Sequence, residues 1–372
     1  MATMTTSVPP TPEPQSAPAL EAAFDVLARC VAEGLVPGAA AVAGTAGRVL
    51  YQAQFGRAAV VPEPRPLPER PLFDLASLTK IVATTTLALR YLEQGRLYLS
   101  QRVATVLPAF GAAGKRDVTF HHLLTHTSGL PSWRRLYGPD LSPQAALETI
   151  YRLPLERPPG TAVVYSDLGF MVLGAALAEI GGAPLDVLAR REVFEPLGLR
   201  DTCFCPGPQL RDRCVATEVV PERGGLIWGT VHDENASAQG GVSGHAGLFS
   251  TTHDLARFCR LWLGKGTVDG VRLLSPATVA AATRDQTRLD QRRGLGWVLQ
   301  PNSYWVPADL CSPAAYSHTG FTGTSLLLDP EYDLFAVLLT NRVHPTRGDQ
   351  SAERIRTVRA RFHNALWAAL VR

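Results

Sequence analysis

Lysine is nearly absent from this chain. Lys80, Lys115 and Lys265 stand against 33 arginines in 372 residues, so a lysine inside a motif is not ordinary surface decoration. Long apolar runs are also missing: the longest, 168–177, falls short of the roughly 18 residues a membrane span needs. No segment concentrates one sign of charge. The net charge is +3, and no basic stripe with interleaved aromatics occurs, so nucleic acid is not an expected partner. The cysteines (Cys30, Cys203, Cys205, Cys214, Cys259, Cys311) show no Cys-x-x-Cys spacing, and Cys203 and Cys205 are too close to bond to each other. Reduced core thiols are expected, with no metal site and no cofactor. Residues 1–18, rich in Pro, Thr and Ser, lack the basic and apolar regions of an export signal. They read as a disordered tail on a cytoplasmic protein, or a periplasmic one if the N-terminus is incomplete.

Against these absences, Ser77-Leu78-Thr79-Lys80 places a hydroxyl and an amine one helical turn apart. A serine attacks an acyl carbon only when a neighbour takes its proton, and a desolvated lysine with a lowered pKa can be that neighbour. Ser77 is equally placed to cap a helix, its oxygen bonding free amides. Tyr165-Ser166-Asp167 precedes an apolar run, and His318-Thr319-Gly320 sits among strand-like residues. Tyr165 is a core aromatic in the plainer reading, and Ser166 or Asp167 a cap for a helix over 168–180. Trp133, Trp297, Trp305 and Phe321 are divided between pocket and core. His122 and His126 share a zinc-helix spacing, but Leu123 stands where the catalytic glutamate would be. The glycine-rich stretch 240–247 lacks the Gly-Lys-Ser/Thr ending of a phosphate loop.

Hydrophobic periodicity predicts a helix over 19–34, and strands over 38–43 and 48–55 around a turn at Thr45-Ala46-Gly47. A proline-rich connector over 62–71 cannot hold a central strand. A helix follows over 77–94, with Ser77 at its positive end. Strands return at 294–299, 324–328 and 334–340, before a last helix over 350–371. The expected fold class is α/β: an antiparallel sheet built from both chain ends, flanked by helices, with a mainly helical insertion. The domains expected are a sheet domain over 19–96 and 291–372 and a mainly helical domain over 97–290.

The three segments occur in the order of the motifs of serine β-lactamases and penicillin-binding proteins: Ser-x-x-Lys, Tyr-x-Asn, Lys-Thr-Gly. The chain resembles the class C β-lactamase and esterase branch of that family. The likeness also takes in Leu123-Leu124-Thr125-His126-Thr127-Ser128-Gly129-Leu130, Gly244-His245-Ala246-Gly247-Leu248-Phe249-Ser250 and His318-Thr319-Gly320-Phe321-Thr322-Gly323. It covers roughly residues 20–370.

The resemblance implies a sheet-and-helix fold with the active site between the two parts. Ser77 would be the nucleophile, Lys80 and Tyr165 its proton acceptors, and the amides of Ser77 and Phe321 the oxyanion hole. Asp167, His318, Thr319 and Gly320 would lie against substrate. Two positions depart from the family. Asp167 replaces its asparagine and would hold Lys80 charged; His318 replaces its lysine and, mostly neutral at pH 7, would attract a substrate carboxylate less. The implied activity is hydrolysis of a small ester or amide, esterase-like. Alternatives are a D-alanyl-D-alanine carboxypeptidase or β-lactamase on a β-lactam-like substrate, and a non-hydrolytic acyl sensor or acyltransferase.

Overall fold

Strands buried on both faces should read as nearly unbroken small and aliphatic residues, and two segments from opposite chain ends do. β1 (Gly38–Gly44) and the late strand Leu334–Thr340 are buried at every position. They pair antiparallel, Ala39 opposite Thr340 and Val42 opposite Val337, which joins the two ends of the chain. In the computed structural model, which describes residues 17–138, 141–306 and 308–371, five more strands extend this pair. They are β2 (Val49–Ala59), β3 (Arg65–Pro66), β4 (Val298–Leu299), β5 (Tyr316–Thr319) and β6 (Ser325–Asp329), with Leu334–Thr340 as β7. The order is β4-β5-β6-β7-β1-β2-β3, antiparallel throughout. The expectation for residues 1–18 falls, as far as residue 16, outside the described residues.

The period-two alternation of the strands sorts side chains onto two cores. Ala39, Ala41, Leu327, Ala336 and Leu338 face α1 (Ala17–Ala32) and the terminal helix Ser351–Leu370, where Phe24 meets Phe362 edge-on at 5.2 Å. Ala40, Val42, Leu326, Leu328, Val337 and Leu339 face the larger core, which includes the helix Thr252–Leu263. Each buried aliphatic side chain contributes about 1.5–3 kcal/mol, so a one-residue register slip, exchanging the two faces, is strongly disfavoured. β3 lies at the sheet edge, where a proline is tolerated.

Three local expectations change. The helix expected over 77–94 is wound three ways: a 3₁₀ turn Ala76–Leu78, a π-helix Lys80–Thr85 and an α-helix Thr86–Glu93. Threonine hydroxyls accompany the widening: Thr86 donates to Ile81 O, and Thr84 leaves the helix to reach Gly244 O. The strand expected over 294–299 shrinks to β4, because Gly296 has φ +79 and a Cβ there would lie 2.4 Å from Thr85 Oγ1. Finally, a three-stranded sheet of Phe73–Asp74, Leu248–Ser250 and Cys203–Phe204 was not anticipated, since strands this short carry no periodicity. The six cysteines are unpaired; Cys30, Cys214 and Cys259 are core thiols, whereas Cys205 is exposed. Among the described residues no single helix is long and apolar enough to cross a membrane.

Candidate active site

The turn carrying Ser77 is held from several sides. Asp74 is buried, which raises its pKa. Its Oδ1 accepts from the Ala76 amide at 2.8 Å and its Oδ2 from the His232 amide at 2.7 Å. These bonds stabilise Ala76 at φ +47, a conformation costing a β-carbon residue about 1–3 kcal/mol. Thr322 donates to Asp74 O and Thr324 to Leu75 O, tying the turn to the segment after β5. Thr79 donates to Ala76 O and accepts from the Leu248 amide. Ser77 does not cap: its oxygen accepts from Lys80 Nζ at 2.9 Å.

Lys80 is fully buried, and its three donor directions are used. Besides Ser77 they reach Asp167 Oδ1 at 2.6 Å and His245 O at 3.2 Å. Nζ also lies 4.8 Å from the ring centre of Tyr165. Burial alone pulls the lysine pKa down, as expected of a base, but the Asp167 carboxylate and Tyr165 outweigh it, and the net shift is upward. The Asp167 carboxylate thus favours the charged form of Lys80, the effect expected of an aspartate at the family's asparagine position. Asp167 is available for this pairing because Ser166 takes the cap of the helix Asp167–Gly181, its Oγ accepting from the Gly169 amide at 3.1 Å.

Tyr165 is sandwiched between His126 at 4.5 Å and Tyr304 at 5.7 Å. His126 is therefore a packing partner rather than a ligand: its Nδ1 accepts from the Ser166 amide, while His122 closes the capping box of Phe120–Leu124. No cluster with metal-ligand character occurs among the described residues. The glycines over 240–247 permit close packing. A Cβ at Gly244 would fall 2.0 Å from Phe170 O, and the loop so seated delivers His245 O to Lys80.

The opposite wall is β5. His318 Nδ1 faces Thr319 O at 3.0 Å and so carries the proton, leaving Nε2 as a lone pair without a partner. Burial, then the charges of Lys80 and Arg293, push its pKa well below the usual range. His126 behaves alike, through burial and then Arg293 and Lys80. Both rings are neutral in the fold, so the unfolded chain takes up more protons below the reference pKa of ~6.5. Stability present above that pH is lost as the pH falls, by about 1.4 kcal/mol per unit for each histidine. Denaturant midpoints at pH 7.5 and 5.5 should show this decline, and a His126→Gln variant should show a shallower one.

After β5, Gly320 lies against the Ser77 turn, and Phe321, 47% exposed, stacks on His232 at 5.7 Å. The amides of Ser77 and Phe321 donate to no acceptor among the described residues. Ser77, Tyr165, Asp167, His318, Thr319, Gly320 and Phe321 line one cleft of about 630 Å³. Trp133 also lines it, whereas Trp297 packs in the core against Trp262, and Trp305 packs under the sheet. Sequence reasoning missed Asp74, Asp233, His245 and Arg293. Asp233 pairs with His245 Nε2 at 2.9 Å; His245 lies in a segment of the family likeness but is given no role there, and no local motif marks Asp233.

The sequence profile described as Beta-lactamase matches residues 24–360. The chain belongs to this family. Its fold is that of β-lactamases and penicillin-binding proteins, and it is a serine hydrolase. It is 33% identical over 354 residues to an N-acetylmuramyl-L-alanine amidase of Bacillus subtilis (strain 168), covering 86% of this chain and 80% of the relative. It is 36% identical over 312 residues to an Escherichia coli (strain K12) protein named, provisionally, as a D-alanyl-D-alanine carboxypeptidase, covering 75% and 70%. A penicillin-binding protein homologue from Caulobacter crescentus shares the fold at a TM-score of 0.75 and 24% identity, covering 95% of this chain and 98% of that one. EstCE1, described as a hydrolase with promiscuous acyltransferase activity, superposes at 0.73 with 23% identity, covering 92% and 99%.

Proposed function

We propose that the protein cleaves an ester or amide bond through an acyl-enzyme on Ser77. The observation that carries this is the Lys80 ammonium, which bridges Ser77 Oγ, Asp167 and His245 O beneath the face of Tyr165. With Lys80 engaged by Asp167, the Ser77 proton is taken up at Tyr165, whose ring lies over that amine. Ser77 Oγ bonds to the substrate carbonyl carbon as its proton passes to Tyr165. The carbonyl oxygen becomes the oxyanion facing the amides of Ser77 and Phe321. Collapse of that intermediate breaks the bond to the leaving group, which takes the proton from Tyr165. Water, deprotonated by Tyr165, then attacks the ester on Ser77 and releases the acid.

Amide-cleaving relatives and the ester-cleaving likeness meet in this one mechanism, which asks only for an acyl carbon at Ser77. A fluorophosphonate probe should add one phosphonyl group per chain, seen by intact mass, and Ser77→Ala should abolish the adduct. Labelling that persists in Ser77→Ala, or its absence from the unmodified chain, would reject Ser77 as nucleophile.

A further inference from the structure

The turn that follows β5 has its carbonyls occupied and one amide open. Gly320 O accepts from the Gly323 amide at 3.1 Å and from Arg359 Nη2 at 3.3 Å. Phe321 O accepts from Arg342 Nε, and Thr322 O from the Arg342 amide at 3.1 Å. The Phe321 N–H meets no acceptor among the described residues. Arg359 is the anomaly here. It is 7% exposed, belongs to no ion pair among the described residues, and its Nε lacks a partner. Burial, then the charges of Arg342 and Arg356, lower its pKa to about 9, which leaves it charged at neutral pH. A buried cation among other cations is unfavourable for folding, and the turn closes without it. The Gly320 amide donates to Thr324 O at 2.8 Å and the Gly323 amide to Gly320 O, so both carbonyls that Arg359 touches already have a backbone donor. What the guanidinium adds, with Nη2 on Gly320 O and on Thr324 O at 2.7 Å, is direction and charge.

Resting on the acyl-enzyme reading, we infer that Arg359 is a positioning residue for the oxyanion hole. It holds the Gly320–Phe321 peptide with its N–H toward Ser77 and strengthens that N–H as a donor. The peptide is trans, so its carbonyl and its N–H point in opposite directions, and fixing one fixes the other. Without a Cβ, Gly320 leaves this peptide free to turn over, which would present a carbonyl oxygen to the oxyanion instead of a donor. The cation on Gly320 O opposes that rotation. It also draws electron density out of the amide, because hydrogen bonds in a chain polarise one another, most of all away from water. The effect falls on the transition state, where the substrate oxygen is negative, and hardly on the neutral ester. Arg342, whose Nη1 donates to Ser351 Oγ at 3.0 Å, holds the next carbonyl, so both are anchored to the terminal helix.

The test reads the hole through the fluorophosphonate adduct, in which Ser77 Oγ has displaced fluoride from phosphorus and the phosphoryl oxygen takes the place of the oxyanion. The phosphorus NMR resonance of the folded parent adduct should differ from that of the urea-denatured adduct, and Arg359→Met should move it toward the denatured position. A role confined to stability would leave the resonance where it is. In turnover of p-nitrophenyl esters, Arg359→Met should lower kcat by about 10–100-fold while KM changes by less than about threefold. Arg359→Lys keeps a cation for the same carbonyls and should recover most of that loss. The thermal midpoint of Arg359→Met should equal the parent's or exceed it; if this variant does not fold, Arg359→Gln, which also removes the charge, carries the comparison. The inference is overturned if the resonance of the neutral variant coincides with the parent's, if the deficit lies in KM alone, or if the lysine variant is no better than the neutral one. Absence of label from the parent overturns the acyl-enzyme reading and this inference with it. A labelled chain with an unmoved resonance overturns this inference alone.

Discussion

Ser77→Ala and Lys80→Met are each expected to reduce kcat/KM toward p-nitrophenyl esters by about 10⁴–10⁶-fold, and the double variant should be hardly worse than either single one. The reason is that the two groups act as a unit. Lys80 Nζ holds the Ser77 oxygen at 2.9 Å, and the same amine lies under the Tyr165 ring, so removing it both frees the nucleophile and takes from Tyr165 its neighbouring cation. Lys80→Arg should not rescue. A planar guanidinium cannot direct three donors at Ser77, Asp167 and His245 O from one atom. Thermal unfolding separates this outcome from misfolding, because Asp167 keeps 20% of its side chain exposed and can hydrate once its partner is gone. Losses that multiply in the double variant would show that Lys80 does not work through Ser77.

Gly320→Ala should cost about 10²–10³-fold in kcat, the loss seen when one oxyanion donor is removed. A Cβ at Gly320 would stand 2.1 Å from Thr324 Oγ1 and 2.4 Å from Leu75 O, a backbone atom of the Ser77 turn. The turn and the segment after β5 must separate, and that separation moves the amide of Phe321 away from the amide of Ser77. The strain should also lower stability by about 1–3 kcal/mol. Steady-state kinetics at a temperature where the variant is folded should show the deficit in kcat more than in KM. A deficit confined to KM would place Gly320 in substrate contact alone.

Much of the architecture could be read from the chain. The runs Gly38–Gly44 and Leu334–Thr340 announce themselves because burial on both faces demands small and aliphatic residues without a break. Helices such as Ala17–Ala32 and Ser351–Leu370 show one-sided burial. The short strands Phe73–Asp74 and Cys203–Phe204 and the π-wound segment Lys80–Thr85 do not announce themselves, because two residues carry no period and a π-turn follows from distant hydroxyl partners. At the site, Ser77, Lys80, Tyr165, Asp167 and the His318–Gly320 segment were legible as motifs. Arg293, Asp233 and Asp74 were not, since an arginine among 33 or an isolated aspartate has no local signature.

The order of polar residues along the chain was enough to specify the fold class, the family likeness and the side chains that meet near Ser77. The sequence also led one to expect a charged Lys80 beside Asp167 and a mostly neutral His318, but the distances that enforce these states, and the cation of Arg293, were set only in three dimensions. Whether Lys80 is a base or an ammonium depends on a carboxylate 87 positions away. Whether the cleft carries a positive charge depends on Arg293 being buried beside two tyrosines, while His318, placed where a lysine was expected, is neutral. Protonation follows the distance to other charges and to water, and those distances exist only after the chain has folded.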